Sequence, residues 1–139
     1  DIDSIESIQT LWKGCGAHTS LMTPYQHDEM LAMTSHLPHI LAFTFMNHML
    51  SNSSEKNEDT LLNFAGSGFR DFTRIASSSP EMWKDICLAN RRLLLQQIRV
   101  YQNELARMNE ILEDGDGAAL EKFFLNAQIT RGKFLKDKH

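Results

Sequence analysis

The sequence has little of several features that would place a chain of 139 residues in other classes. It contains 2 cysteines, Cys15 and Cys87, far apart in sequence. This is too few for a disulfide framework and predicts a reducing, cytoplasmic location. No apolar run approaches the roughly 18–20 residues of a membrane span, and the first residues show no signal-peptide pattern. We therefore expect neither a disulfide-stabilised secreted domain nor a membrane protein.

Clustered positive charge is also missing. The formal net charge is -4, and the basic residues are scattered along the chain, which argues against nucleic acid as a partner. Hydrophobic residues make up 42% and charged residues 23%. At this length the composition suits one compact domain with a core of its own.

Apolar residues three and four apart predict an all-α fold of about five to six helices, two of them long. A hydroxyl residue followed by proline marks a helix start at Thr23-Pro24 and at Ser79-Pro80. Residues 17–22 are too short for a helix before the next cap and predict a loop or one short extended piece. The predicted helices are 3–14, a long apolar one from Thr23 to about Leu50, short ones at 60–64 and 69–76, a long one from Ser79 to Asp114 and a last one at 118–134, with a polar loop at 51–59 and a tight turn at 65–69.

The predicted helix from Ser79 to Asp114 is too long for a compact domain of this size. At about 1.5 Å per residue it extends about 50 Å, whereas a compact globule would be roughly 35–40 Å across. Its apolar residues from Leu94 to Leu112 alternate four and three apart, as in a coiled coil. We therefore expect this helix to pack on a second copy of the chain or on another domain.

The stretch Thr34-Ser35-His36-Leu37-Pro38-His39 breaks two local rules inside the long apolar helix. Proline in a helix interior costs about 3 kcal/mol or more, and polar side chains on a buried helix need partners. Such a conflict indicates a functional site. His36 and His39 share a helix face, so they are core histidines, a metal pair or an anion-binding pair. Metal is disfavoured, because no metal-binding motif is present and His27 and His48 do not fall on that face.

Two further places could carry chemistry. Gly66-Ser67-Gly68 resembles the start of a phosphate loop, but no strand precedes it and a third glycine is missing, so a tight turn is favoured. Asp71 and Arg74 are three residues apart and could form a weak surface ion pair. Alternatively, Arg74 could present its planar fork to a substrate carboxylate.

Several motifs follow one another in a recognisable order. They are Trp12-x-x-x-Gly16-Ala17, His27-Asp28, Ser35-His36-Leu37-Pro38-His39, Gly68-Phe69-Arg70-Asp71-Phe72-Thr73-Arg74-Ile75-Ala76, Pro80-x-Met82-Trp83-x-Asp85-Ile86 and Asn90. Together they resemble the helical C-terminal domain of the prephenate dehydrogenase family, which includes arogenate and cyclohexadienyl dehydrogenases. The resemblance covers most of the chain and is weakest at 51–62 and after Asn90.

The resemblance implies an oxidoreductase of tyrosine biosynthesis that decarboxylates prephenate oxidatively to 4-hydroxyphenylpyruvate, with NAD or NADP as cofactor and no metal. Residues 1–139 would be its dimerisation and substrate-binding domain, with the NAD(P)-binding Rossmann domain, including the catalytic histidine, absent from the chain. The fragment alone would then be inactive and would form an intertwined homodimer through its long helices.

The resemblance also assigns substrate-binding roles. Arg74 matches an arginine that clamps a substrate carboxylate, His39 a histidine of the substrate pocket, and Ser35 a nearby hydroxyl. Ser67 stands where many members have glycine, with its backbone near the substrate. Asp71 and Trp83 match residues that reach the pocket from the partner subunit.

Some alternatives remain open at this stage. The sequence does not decide between prephenate and arogenate as substrate, or between NAD and NADP as cofactor. It also leaves open inhibition by tyrosine, a fused partner enzyme, and the roles of His27, Asp28 and His36. A ligand-free helical assembly domain and a metal-binding bundle are the rival classes.

Overall fold

The computed structural model describes residues 2–52 and 63–136, and all regular structure in these ranges is helical. Counting Pro24–Asn52 as one continuous run, these ranges hold six helical segments, which confirms the predicted all-α class and helix number. The predicted loop at 51–59 and short helix at 60–64 fall mostly outside the described residues. The elements that make up these six segments are, in chain order, α1 (Ile2–Gly14), α2 (Pro24–Leu31), a π-helical turn (Ala32–His36), α3 (Leu37–Asn52), α4 (Ser67–Thr73), a 3-10 turn (Arg74–Ser77), α5 (Pro80–Ala89), α6 (Arg91–Glu113) and α7 (Gly117–Lys136). The 3-10 turn is counted with α4.

The chain divides into two units, Asp1–Ser77 and Ser78–His139. In the first unit, α3 packs against α4 and against the 3-10 turn that follows it. The Phe45 ring of α3 lies 5.9 Å from the Phe69 ring and 5.6 Å from the Phe72 ring, centroid to centroid. Such tilted and edge-on pairs add to the stability gained from apolar burial, so the two aromatic residues of α4 fix it on α3.

The first helix ends as its glycines predict. The amide of Gly16 donates to the carbonyl of Lys13 at 2.9 Å, and the amide of Ala17 donates to Trp12 at 3.0 Å. This pair of bonds is a Schellman motif. Gly16 has φ +82, a left-handed conformation that glycine adopts without steric cost. The chain therefore turns sharply after α1, and residues 17–22 follow outside any helix, as predicted.

The start of α2 is a complete capping box. The hydroxyl of Thr23 accepts the amide of Gln26 at 3.2 Å, and the Gln26 side chain accepts the amide of Thr23 at 2.9 Å. Pro24 occupies the first helical position, where its missing amide hydrogen costs nothing. Two otherwise unsatisfied donors are thus paired, and the predicted start at Thr23-Pro24 is confirmed.

The prediction of one continuous helix from Ser79 to Asp114 is wrong. Asn90, with φ -102 and ψ 25, ends α5 and begins α6. Its amide still donates to Ile86 at 3.1 Å, and its carbonyl accepts from Leu94 at 3.1 Å, so the break costs few backbone bonds. The second long helix is therefore shortened to the 23 residues of α6, about 34 Å long. The first long helix, predicted from Thr23 to about Leu50, is present as the continuous run Pro24–Asn52.

The cores of both units are thin. Among the described residues the buried apolar side chains are Ala32, Leu37, Ala42, Trp83, Leu93 and Leu94. Both cysteines are free thiols: Cys15 is exposed, and partial burial raises the pKa of Cys87. No helix within 2–52 or 63–136 combines the length and apolarity needed to cross a membrane.

We expect Thr23→Ala to lower the free energy of unfolding by about 1 kcal/mol, because it removes one half of the capping box. Urea denaturation measures the change. Thr44→Ala is the control, since Thr44 is exposed inside α3 and alanine favours helix. An equal loss in both variants would contradict a capping role for Thr23.

Candidate functional site

The π-helical turn lies directly before Pro38. A proline has no amide hydrogen and its ring clashes with the carbonyl four residues earlier, here that of Thr34. In the π turn the amide of Leu37 donates to the carbonyl of Ala32, five residues back, instead of four. This wider turn accommodates the ring without ending the helix. Pro38 therefore does not end the helix. It changes the helical register within a continuous run.

His39 is held in one orientation by the backbone of this turn. Its Nδ1 lies 2.9 Å from the carbonyl oxygen of Ser35, and both residues are half-buried. A carbonyl can only accept a hydrogen bond, so Nδ1 carries the hydrogen, and in the neutral ring Nε2 is the acceptor. The sequence predicted that Ser35 and His39 belong to one site, and the structure joins them through the Ser35 carbonyl.

His36 is buried, with a relative exposure of 8%. Burial lowers its pKa, and the charges of His27 and His39 act in the same direction, whereas the carboxylate of Asp28 opposes them. Desolvation therefore favours the neutral imidazole. His27 thus lies within electrostatic range of His36, nine residues along the chain.

His27 and Asp28 form an exposed pair, with Nδ1 and Oδ1 3.0 Å apart. Thr23 and Gln26 cap α2. His27 and Asp28 therefore do not cap this helix, a role that the sequence left open. An exposed pair of this kind contributes little stability. Asp28 also acts electrostatically on His36.

Arg74 is exposed at the first position of the 3-10 turn, and Asp71 is exposed one turn earlier on α4. Within the described part of the chain neither residue takes part in an ion pair, so the surface pair that the sequence left open does not form. Both α4 and the 3-10 turn pack on α3, which carries His39. The exposed guanidinium of Arg74 and the ring of His39 therefore belong to elements that pack together.

Ser67 is the first residue of α4, and it is exposed. The tight turn predicted at 65–69 is wrong, because Gly66 is extended (φ -74, ψ 179) and Gly68 is already helical. Nothing in the described structure lies within 4 Å of a Cβ built at either glycine. The space beside Ser67 is therefore open.

Trp83 lies on α5 in the second unit, where its side chain is buried. Along the described ranges no group of three histidine, cysteine, aspartate or glutamate side chains could hold a metal ion. One feature of the second unit was not predicted: Arg107 lies over the ring of Phe123, 5.8 Å from its centroid, beside a groove of about 480 Å3. Sixteen residues of sequence and a helix end separate these two residues, so no local pattern indicates the contact.

The chain is similar to known proteins over nearly its whole length. The family model described as the dimerization domain of prephenate dehydrogenase matches residues 23–126. Prephenate dehydrogenase of Bacillus subtilis is 36% identical over 131 residues, which cover 94% of this chain and 35% of that protein. Cyclohexadienyl dehydrogenase of Zymomonas mobilis is 33% identical over 128 residues, covering 92% and 43%.

Solved structures agree. Prephenate dehydrogenase of Aquifex aeolicus, in complex with hydroxyphenyl propionate and NAD+, superposes with a TM-score of 0.88 at 29% identity, covering 96% of this chain and 46% of that one. Arogenate dehydrogenase of Synechocystis, with a TM-score of 0.83 at 23% identity, shares the fold over 96% of this chain and 48% of its own.

The regular structure of the described residues is helical, and the family model matches residues 23–126. These two findings define the class of the chain as a helical dimerization domain. The chain belongs to the prephenate dehydrogenase family, and the matched part is its dimerization domain. It spans about 35% to 43% of the length of the curated relatives named above.

The burial of His36 predicts a pH-dependent stability. Because its pKa is lowered in the folded chain, the unfolded chain binds a proton at higher pH than the folded one. The stabilising effect of the neutral ring is complete above the unfolded pKa of about 6.5 and is lost as pH falls below it. We expect His36→Asn to flatten the dependence of the unfolding free energy on pH between about 5 and 7.5.

Urea denaturation at several pH values measures this, with His48→Asn as the control, since His48 is exposed on α3. A slope that is unchanged in His36→Asn, or equally reduced in His48→Asn, would contradict the assignment to His36.

Proposed function

We propose that this chain is the dimerisation and substrate-binding part of a dehydrogenase that decarboxylates prephenate oxidatively to 4-hydroxyphenylpyruvate. In that reaction the hydroxyl-bearing ring carbon would lose a hydride to NAD or NADP. The bond to the ring carboxylate breaks, carbon dioxide leaves, and the electron pair of that bond makes the ring aromatic, so that the product keeps its hydroxyl as a phenol. The observation that carries the proposal is the exposed guanidinium of Arg74, which has no carboxylate partner in the described ranges. It stands on a turn packed against the helix of His39.

The roles follow from the donor and acceptor chemistry. Prephenate has two carboxylates, and a guanidinium binds one of them through two parallel hydrogen bonds. His39, oriented through Nδ1, presents Nε2 to a substrate hydroxyl or, when protonated, to a carboxylate. Ser35 and Ser67 would supply hydroxyl groups. Asp71 and Trp83 would act on the site of a partner subunit, as the family resemblance implies.

The cofactor does not fit the described residues. They contain no strand, and therefore no βα turn with a helix N-terminus for the pyrophosphate of a dinucleotide. Gly66-Ser67-Gly68 follows no strand and begins a helix of only 7 residues. We assign NAD or NADP to a part of the full-length protein outside these residues.

Arogenate is the second candidate substrate. It carries an ammonium group where prephenate has a keto group. The relatives named cyclohexadienyl dehydrogenase and arogenate dehydrogenase align with 92% and 96% of this chain. The exposed carboxylate of Asp71 would pair with that ammonium group. The ratio of kcat/KM for the two substrates in the full-length enzyme distinguishes them.

Exposed apolar side chains on α6 support a second copy as the partner. Tyr101 is 37%, Leu105 50% and Leu112 57% exposed, and their spacing of four and seven residues places them on one face of the helix. An apolar face of this kind marks a surface that another chain covers. The family model describes residues 23–126 as a dimerization domain.

We expect Arg74→Ala in the full-length enzyme to raise the KM for prephenate by about 10- to 100-fold, since a charge-assisted hydrogen bond contributes about 1.5–3 kcal/mol. Arg74→Lys should restore only part of this, because lysine lacks the planar fork. Steady-state kinetics measures both. Arg70→Ala is the matched control, because Arg70 is exposed one turn earlier on α4. An unchanged KM in Arg74→Ala would refute the substrate role.

We expect the chain to sediment as a dimer and Leu105→Asp to shift it to monomer. Leu105, 50% exposed, belongs to the apolar stripe of α6 together with Tyr101 and Leu112. Analytical ultracentrifugation measures the mass. Asn103→Asp is the control, because residue 103 faces about 200° away around the helix. A wild-type chain that sediments as a monomer would contradict dimerisation through this stripe.

A further inference from the structure

The groove beside Arg107 in the second unit has no role in the proposed reaction. Its volume is about 480 Å3, which lies within the range of small-molecule sites. Its lining includes two cations, two aromatic rings, one amide and one hydroxyl, which belong to Arg107, Arg131, Phe123, Phe134, Asn126 and Thr130. No carboxylate is among the described residues that line it. The groove is therefore basic, in a chain whose formal net charge is -4.

Two guanidinium groups from different helices line this one groove. Arg107 of α6 lies 5.8 Å from the centroid of the Phe123 ring, and its ion pair with Glu104 is long, at 4.0 Å, and exposed. Such a pair contributes little. Arg131 of α7 takes part in no ion pair with a described residue. Two like charges repel each other, so an anion bound between them is favoured.

The hydrogen-bond donors of the groove fit a carboxylate better than a polyphosphate. Residues 126–134 lie inside α7, where backbone amides donate to carbonyls four residues back. These amides therefore cannot hold phosphate groups as the amides at a helix N-terminus do. The Thr130 hydroxyl donates to the carbonyl of Asn126 at 2.9 Å, which leaves the guanidinium groups and the side-chain amide of Asn126 as donors. One planar guanidinium matches one carboxylate through two parallel hydrogen bonds.

The two phenylalanine rings indicate what the rest of the ligand is. Phe134 is 64% exposed, and Phe123 is half-buried beneath the guanidinium of Arg107. Small-molecule sites combine apolar and aromatic walls with a few polar groups that fix the orientation of the ligand. Aromatic rings also attract one another in offset and edge-on arrangements. A ligand with one aromatic ring and one carboxylate would pair with both kinds of group at once.

We propose that this groove binds a small aromatic carboxylate. The carboxylate lies between the guanidinium groups of Arg107 and Arg131, and the ring of the ligand packs on Phe134. The side-chain amide of Asn126 donates to the same carboxylate. This inference uses residues of the second unit alone and does not rest on the proposed substrate or on Arg74.

Three probes test the chemical class of the ligand by NMR titration of the 139-residue chain. 3-Phenylpropionate carries the ring and the carboxylate, propionate lacks the ring, and 3-phenylpropanol lacks the carboxylate. We expect 3-phenylpropionate to shift the amide signals of residues 123–134 and to bind about 10-fold or more tightly than either of the other probes. Signals that shift only outside these residues, or equal affinities of the three probes, would overturn the proposal.

Variants of the same chain test the guanidinium groups. Arg131→Gln should weaken the binding of 3-phenylpropionate by about 10-fold or more, and Arg131→Lys should restore only part of the affinity, because lysine lacks the planar fork. Arg99→Gln is the matched control, since Arg99 is exposed on α6 and is not among the residues that line the groove.

Unchanged affinity in Arg131→Gln, or an equal loss in Arg99→Gln, would contradict the proposed site. A change from dimer to monomer in Arg131→Gln, measured by analytical ultracentrifugation, would also overturn it, because a second copy of the chain would then cover the groove.

Discussion

The missing amide hydrogen of Pro38 is the constraint on which the first unit depends. A regular α-helix cannot carry a proline at this place without losing a bond and meeting a clash, and the π turn at Ala32–His36 resolves both. The same turn buries His36 and places the Ser35 carbonyl against the ring of His39. A local defect in the helix is thus what orients a side chain of the candidate site. Functional π turns of this kind recur in helices.

Helix class, helix starts and most helix ends could be predicted because they depend on short-range chemistry. Hydroxyl–proline pairs mark α2 and α5, and glycine in a left-handed conformation ends α1. The helix junction at Asn90 could not be predicted, because apolar spacing continues across it and neither glycine nor proline marks it. Asn90 is buried, and its burial belongs to the folded chain and is not visible in local spacing. The π turn also leaves no periodic pattern, and only Pro38 indicates it.

For the candidate site, the family motifs nominate residues but do not predict which of their atoms make contacts. Ser35 was expected to act through its hydroxyl, whereas its carbonyl is the group that contacts His39. The choice between an ion pair and a free guanidinium at Arg74 also depended on rotamers that spacing does not determine. An i, i+3 pair is only weakly favourable, so the side chains can stay apart. The sequence gives the residue types of the candidate site, whereas the conformations of their side chains depend on packing.

The small number of buried apolar side chains has a consequence for the rate of folding. Among the described residues, the only side chains that are completely buried are two alanines, Ala32 and Ala42, while large apolar residues on every helix of ten or more residues remain exposed. If a second copy covers these exposed side chains, as proposed above, the last folding step is bimolecular and slows on dilution.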